Sequence, residues 1–327
     1  MVFSSHKVIL TGPLPKSAID RCTSLFSEFI YPENNQLFSR EQLIDNVQGV
    51  SGILSMLTQK IDREIIEAAG PSLKVISNYA VGFDNIDIAY ATEKGITVTN
   101  TPGVLTDATA DLAWALLMSV SRRIVEADSF VRQKLFTGWE PLLYLGGDLV
   151  GKTLGIIGAG RIGTAMAQRS LGWNMKILYT SRRKNDALEQ IGGKKVDLHA
   201  LLRESDFVSL HLPFTKETHH LLDEQTLGMM KPTAYLINTA RGAIIHERAL
   251  IDALKMKKIA GAGLDVFEFE PKVTEELLTL ADVVVAPHIG SATVETRTRM
   301  ANIAVDNLQA VLQGKRPLHV VNAEVWN

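Results

Sequence analysis

The sequence predicts an α/β chain built from two doubly wound parallel-sheet domains. Three observations carry that expectation. Short apolar runs alternate with helix-like stretches, and the alternation occurs in two separate series. The runs are apolar throughout rather than at every second residue, as in parallel strands covered on both faces. The length, 327 residues, suits about two domains.

The first series holds the strand candidates KVIL (7–10), GILS (52–55), LKVIS (73–77) and ITVTN (96–100). Between them, IDREIIEAAG (61–70) has a helical period, with Ile61, Ile65 and Ala68 on one face and Gly70 as a stop. A long helix rich in Ala and Leu is expected from Thr106 to Ala127. The stretch LFTGWEPLLYLGGDLVGKT follows, with Gly and Pro and no clean period, and reads as a loop or linker. The second series runs TLGIIG (153–158), KILYT (176–180), FVSLHL (207–212), AYLIN (234–238), AGAGLDV (260–266) and DVVVAP (282–287). A last helix is expected over Ala292–Gln313, with Ala301, Ala304, Val305, Leu308, Val311 and Leu312 on one stripe.

Composition excludes several classes. The net charge of −2, from 34 basic and 36 acidic residues, points to neither nucleic acid nor a membrane surface. Cys22 is the only cysteine, which rules out a disulfide framework. No cluster of His, Asp and Glu has ligand spacing, so no metal is expected. The N-terminus lacks the apolar core of a signal peptide, and no apolar run approaches the ~20 residues of a membrane span. A cytoplasmic protein is the default expectation.

The strongest local motif is GAGRIG, with Gly158, Ala159, Gly160, Arg161, Ile162 and Gly163. Alone it is weak, because a tight strand-to-helix turn needs no ligand. Here it follows an apolar strand and opens a helix, the setting of a Rossmann dinucleotide site. Such helix N-termini offer free N–H groups and partial positive charge to phosphates. An NAD site places Asp or Glu about 20 residues further on, on the ribose hydroxyls. At that place stand Ser181, Arg182 and Arg183. A hydroxyl and two guanidiniums suit a 2′-phosphate, so NADP(H) is expected, with NAD(H) the weaker alternative. The plain alternative is a solvated charge run at a strand end.

In a doubly wound sheet, ligands bind beyond the carboxyl ends of the strands. Those ends carry Pro213, Thr239-Ala240-Arg241, Asp265 with Glu270, and His288. A 2-keto acid reductase needs a cation for the carboxylate, a proton donor for the carbonyl oxygen and a group to hold that donor. His211, also at a strand end, is the local rival to His288 but lacks a following Gly-Ser turn and a matching acid. The other histidines, including His219, His220 and His246, read as surface or packing residues.

Five stretches in order resemble the D-2-hydroxyacid dehydrogenase family: NYAVGFDNIDIAYATEKGITVTNTP, GAGRIG, NTARGAIIHERAL, AGLDVFEFEP and APHIGSAT. The likeness spans nearly the whole chain and is greatest to the glyoxylate/hydroxypyruvate reductase branch, which includes 2-ketogluconate reducers. It implies that Arg241 clamps the substrate, that His288 is the acid/base and that Glu270 pairs with it. It implies backbone amides at Val81 and Gly82 on the substrate carboxylate, with Leu57 nearby. Asp265 would hold the nicotinamide carboxamide, and Thr109, Pro213, Thr218, Thr239, Ala240 and Gly290 would line the cofactor site. It further implies a flavodoxin-like substrate domain of residues 1–100 with 290–327, and a cofactor domain of 101–289. A homodimer through the long helix and the GWEPLLYLGG loop is also implied. The competing expectations are a phosphoglycerate or D-lactate dehydrogenase, or a non-enzymatic cofactor-sensing protein.

Overall fold

The computed structural model describes residues 3–33 and 36–326. The chain divides into two compact units, 1–105 with 292–327, and 106–291. No helix among the described residues is long and apolar enough to cross a membrane.

The smaller unit contains, in order, β1 (Phe3–Leu10), α1 (Lys16–Leu25), β2 (Phe26–Ile30), α2 (Arg40–Asn46), β3 (Gly52–Ser55), α3 (Arg63–Ala69), β4 (Val75–Asn78), α4 (Ile88–Glu93) and β5 (Thr97–Thr99). The strands pair in parallel in the order β2-β1-β3-β4-β5, the flavodoxin-like order. Successive residues of a strand feed opposite faces. Val8, Leu10 and Leu54 join one apolar cluster, and Ile9, Ile53 and Ile76 join the other. Burying each such side chain contributes about 1.5–3 kcal/mol, which is why the stretches Val8–Leu10, Ile53–Leu54 and Val75–Ile76 are apolar on both faces of the sheet.

The larger unit contains α5 (Thr106–Ser121), α6 (Ile124–Arg132), β6 (Thr153–Ile157), α7 (Arg161–Arg169), β7 (Lys176–Thr180), α8 (Asp186–Gln190), β8 (Lys194–Lys195), α9 (Leu198–Glu204), β9 (Phe207–Leu210), α10 (Glu224–Leu227), β10 (Tyr235–Asn238), α11 (Glu247–Lys255), β11 (Gly261–Leu264), α12 (Glu275–Leu278) and β12 (Val283–Val285). Its seven parallel strands run β12-β11-β10-β9-β6-β7-β8, so the order reverses between β6 and β9. That is the Rossmann arrangement with one added strand, and its ligand crevice lies past the carboxyl ends of β6 and β9. Helix α13 (Val294–Leu312) belongs to the smaller unit, and all six residues of its expected stripe are buried there.

Two expectations need correction, and two strands are additional to those expected. Ile61 stands before α3, not in it. Asp62 caps the helix by accepting from Ile65 N, while Ile61 forms a β-bridge with Ile86, so a local cap overrides the period. The helix expected to reach Ala127 stops at Ser121, and α6 starts after Arg123, whose φ is 52°. The returning loop explains the break, because Gly147 N donates to Ser121 O at 2.9 Å and ends the ladder there. Strands β2 and β8 were not expected. Both lie at sheet edges and expose residues, FSEFI in part and both lysines of β8, so neither shows a buried strand's apolar run.

Candidate active site

The turn from β6 into α7 is shaped by close approach. Gly158 has φ 96°, and a Cβ there would lie 2.5 Å from His211 O at the end of β9. A Cβ on Gly163 would lie 2.2 Å from Gly158 O, so the turn and helix pack only with glycine. Gly160 is the N-cap of α7, with no side-chain cap, and beyond its chain neighbours no described atom lies within 4 Å of where its Cβ would be. The first amides of α7 therefore have no side-chain cap, and the space beside Gly160 is open to a ligand they could bind. Asn185 donates to Ala159 O at 2.9 Å and steadies the turn from the far side. Thr239 Oγ1 is buried without a partner among the described residues. These features fit a dinucleotide.

At the end of β7, Ser181 is half-buried, and Arg182 and Arg183 are exposed. The Ser181 hydroxyl donates to Arg183 O, which folds the turn back on itself. Lys195 Nζ, on the neighbouring β8, donates to Arg182 O at 3.4 Å. This fourth polar contributor was missed, because the sequence gives no sign that an edge strand pairs there. After β9, Thr218 Oγ1 donates to Pro213 O at 2.9 Å and closes the loop between them.

The loops after β10, β11 and β12 bring the reactive groups together. Asn238 ends β10. Its Nδ2 donates to Arg241 O at 2.9 Å and its Oδ1 accepts from Ala240 N at 2.9 Å, so one amide sets the turn that presents Arg241. His288 Nδ1 and Glu270 Oε2 are 2.9 Å apart, and Glu270 Oε1 accepts from Phe267 N at 3.0 Å. Burial pushes the Glu270 carboxyl up. The His288 hydrogen bond and charge, the Phe267 amide and the Arg241 guanidinium outweigh it and hold the group below the usual carboxylate range. Glu270 thus interacts with both His288 and Arg241.

Asp265 does more than expected. Its oxygens accept from Ile289 N and Gly290 N, each at 2.7 Å, and its carbonyl accepts from His288 N at 2.9 Å. Asp265 therefore holds the turn in which His288 has φ 55°. Burial raises its carboxyl above the usual value, against those two amides and His288. Each oxygen retains a second lone pair for a ligand donor. Thr109 is buried and lies against Gly290, within reach of the same turn.

His211 is not part of this group. Its Nε2 lies 2.8 Å from Ser209 Oγ, and desolvation pushes its pKa down to about 3, so it stays neutral. The expectation that no His/Asp/Glu cluster exists needs revision, since His219, His220 and Glu268 place ligand atoms within 4.8 Å of one another. Glu268 stands 48 residues from His220, so the sequence gives no sign that it joins the histidine pair.

In the smaller unit, the loop carrying Val81 and Gly82 is tied down by its carbonyls. Asn100 Nδ2 donates to Val81 O, and Asn78 Nδ2 donates to Gly82 O, both at 2.8 Å. Asn85 Nδ2 reaches Met56 O at 3.2 Å and so joins this loop to the one bearing the half-buried Leu57. These three asparagines were not singled out in the sequence.

A doubly wound sheet with an open glycine turn at its switch point, and an acid–histidine pair beside an arginine, defines a dinucleotide-dependent dehydrogenase. Comparison narrows the class. Residues 114–290 match the family model described as D-isomer specific 2-hydroxyacid dehydrogenase, NAD binding domain. Glyoxylate reductase of Thermococcus litoralis is 53% identical over 324 residues, 98% of this chain and 97% of that protein. A crystal structure of a protein from Thermus thermophilus is 43% identical, covers 96% of this chain and 99% of its own, and gives a TM-score of 0.89. The NADPH-dependent glyoxylate/hydroxypyruvate reductase of Sinorhizobium meliloti, solved with NADP and malonate, is 34% identical, covers 97% and 96%, and gives 0.85. The chain belongs to the D-isomer specific 2-hydroxyacid dehydrogenase family.

Proposed function

We propose that this chain uses NADPH to reduce glyoxylate or hydroxypyruvate, with 2-ketogluconate as a third candidate, to the D-2-hydroxy acid. The observation that carries the reading is the 2.9 Å contact between His288 Nδ1 and Glu270 Oε2, beside Arg241. Glu270 occupies Nδ1, which leaves Nε2 to meet the substrate. NADPH, held by the turn after β6, would supply the hydride for the keto carbon. His288 releases its proton to the carbonyl oxygen as that oxygen gains charge, and Glu270 stabilises the imidazolium before transfer. Arg241 holds the substrate carboxylate and offsets charge on the developing alkoxide. Asp265 fixes the His288 turn. Leu57 and the Val81 and Gly82 amides are the substrate contacts assigned to the unit 1–105 with 292–327, and 106–291 is the cofactor domain.

The cofactor site takes Gly158, Ala159, Gly160, Arg161, Ile162 and Gly163 at the pyrophosphate. Ser181, Arg182 and Arg183 meet the 2′-phosphate, and Thr109, Pro213, Thr218, Thr239, Ala240, Asp265 and Gly290 line the remainder. The preference for NADPH over NADH rests on the missing carboxylate after β7. The structure of the Sinorhizobium meliloti relative with NADP is consistent with it. A second copy of the chain would cover the apolar side chains exposed on α6 and the loop after it, among them Ile124, Val131, Phe136 and Trp139, the last 85% exposed. The proposed compartment is the cytoplasm.

The test is NADPH oxidation over glyoxylate, hydroxypyruvate, 2-ketogluconate, pyruvate and 3-phosphohydroxypyruvate, with the product resolved on a chiral column. Turnover of one of the first three to the D-product is expected. Strong preference for pyruvate or the phosphorylated acid would replace this reading by the D-lactate or phosphoglycerate one. Tight NADPH binding with no turnover would leave a sensing protein.

A further inference from the structure

We propose that His219, His220 and Glu268 form a binding site for a borderline divalent transition-metal ion, of which Zn²⁺ is the type. The site lies between the loops after β9 and β11 and uses none of the side chains assigned above to the reaction. Glu268, remote in sequence, accepts from His220 Nε2 with Oε1 at 2.6 Å, and a bound ion would part the two atoms and replace the hydrogen between them, which the neutral His220 ring then holds on Nδ1. The other Glu268 oxygen accepts from Glu247 N at 2.8 Å, and the Glu268 amide donates to Glu247 Oε2 at 3.1 Å, so the carboxylate is anchored with one oxygen turned to the histidine. His220 is held in a left-handed backbone conformation, φ 50°, with its amide on Ala243 O at 3.0 Å. The His219 donor lies within 4.8 Å of both others.

Two imidazoles and one carboxylate select Zn²⁺, Ni²⁺ or Cu²⁺ over Mg²⁺ and Ca²⁺, which prefer all-oxygen sets. Three protein ligands leave a further position for water. The His219 and His220 rings stack at 3.8 Å with 26° between their planes. A metal bond lies in the ring plane, so coordination requires the His219 ring to swing out of the stack, and its exposure gives it that freedom. His246 packs edge-on to His220 but stays outside the set. Its Nδ1 accepts from Ala249 N at 3.3 Å, so the neutral ring carries its hydrogen on Nε2 and has no lone pair there to offer.

The experiment is isothermal titration of the full chain, free of any polyhistidine tag, with ZnCl₂ and separately with MgCl₂. The wild type should take up one Zn²⁺ per chain and show no saturable Mg²⁺ binding. His219→Ala and Glu268→Gln should each weaken Zn²⁺ at least tenfold. His219 is exposed, so His219→Ala should keep the wild-type thermal midpoint and, without metal, the wild-type rate of keto-acid reduction. Absence of saturable Zn²⁺ binding to the wild type would overturn the proposal. So would equal Zn²⁺ affinity in the wild type and His219→Ala, or Mg²⁺ binding as tight as Zn²⁺.

Discussion

Gly242 stands where the arginine loop meets the loop of the catalytic acid, and replacing it by alanine tests whether their spacing matters. A Cβ at Gly242 would fall 1.8 Å from Phe267 C, 2.0 Å from Phe267 O and 2.4 Å from Glu268 N. All three are backbone atoms, so no side chain can swing away. Real Cβ contacts are essentially never under 3.0 Å, so the loops must part by at least 3.0 − 1.8 = 1.2 Å. One of them carries Arg241 and the other carries Glu270, which holds His288. Misplacement of catalytic groups by 1 Å can cost about a hundredfold in rate, or roughly 2.7 kcal/mol of barrier. Gly242→Ala should therefore lower kcat/KM for glyoxylate about a hundredfold while far-ultraviolet circular dichroism and NADPH binding stay close to wild type. Gly172→Ala is the control, because nothing lies within 4 Å of its Cβ position. A folded Gly242→Ala enzyme with wild-type kcat/KM would refute the reasoning.

Other substitutions probe separate parts of the account. Glu270→Gln keeps the shape but loses the charge on His288, a charge-assisted hydrogen bond of about 1.5–3 kcal/mol. It should cut kcat roughly tenfold to a hundredfold without changing the NADPH Kd, and an unchanged kcat would take Glu270 out of the reaction. Arg182→Ala and Arg183→Ala should between them weaken NADPH by about tenfold to a hundredfold per lost contact and leave NADH nearly untouched; a wild type that prefers NADH would end that argument. For His211 the folded pKa, about 3, lies below its ordinary 6.5. The unfolded chain therefore binds an extra proton between those values, and stability falls as pH drops from 6.5 toward 3, by at most about 1.4 kcal/mol per pH unit. Urea melts of His211→Gln should show a shallower loss of stability on acidification than wild type, and parallel curves would mean that His211 is protonated in the folded state.

Much of this architecture could be read from the chain because parallel strands covered on both faces are apolar at every position. GILS and KILYT coincide with β3 and β7 for that reason. Edge strands such as β2 and β8 need no such run and went unread. The break after Ser121 depends on Gly147, a contact across a loop that no local period encodes. For the site, strand ends in a doubly wound sheet gave Arg241, Asp265 and His288 a common location, whereas Glu270 needed the family likeness. The supporting shell stayed hidden. Asn238, Lys195, Asn78 and the Glu268–His220 pair act through distances set only when separate loops fold together.

The most direct test of the central claim compares the wild type with His288→Ala in steady-state NADPH oxidation by glyoxylate, after both have been shown to bind NADPH. His288 is the proposed proton donor, and a lost general acid costs on the order of 10²–10⁴ in rate. The account predicts steady turnover by the wild type, a loss of that size in kcat for His288→Ala, and equal NADPH affinity in the two. Equal kcat in both proteins would contradict it, because the proton would then reach the carbonyl oxygen by another route.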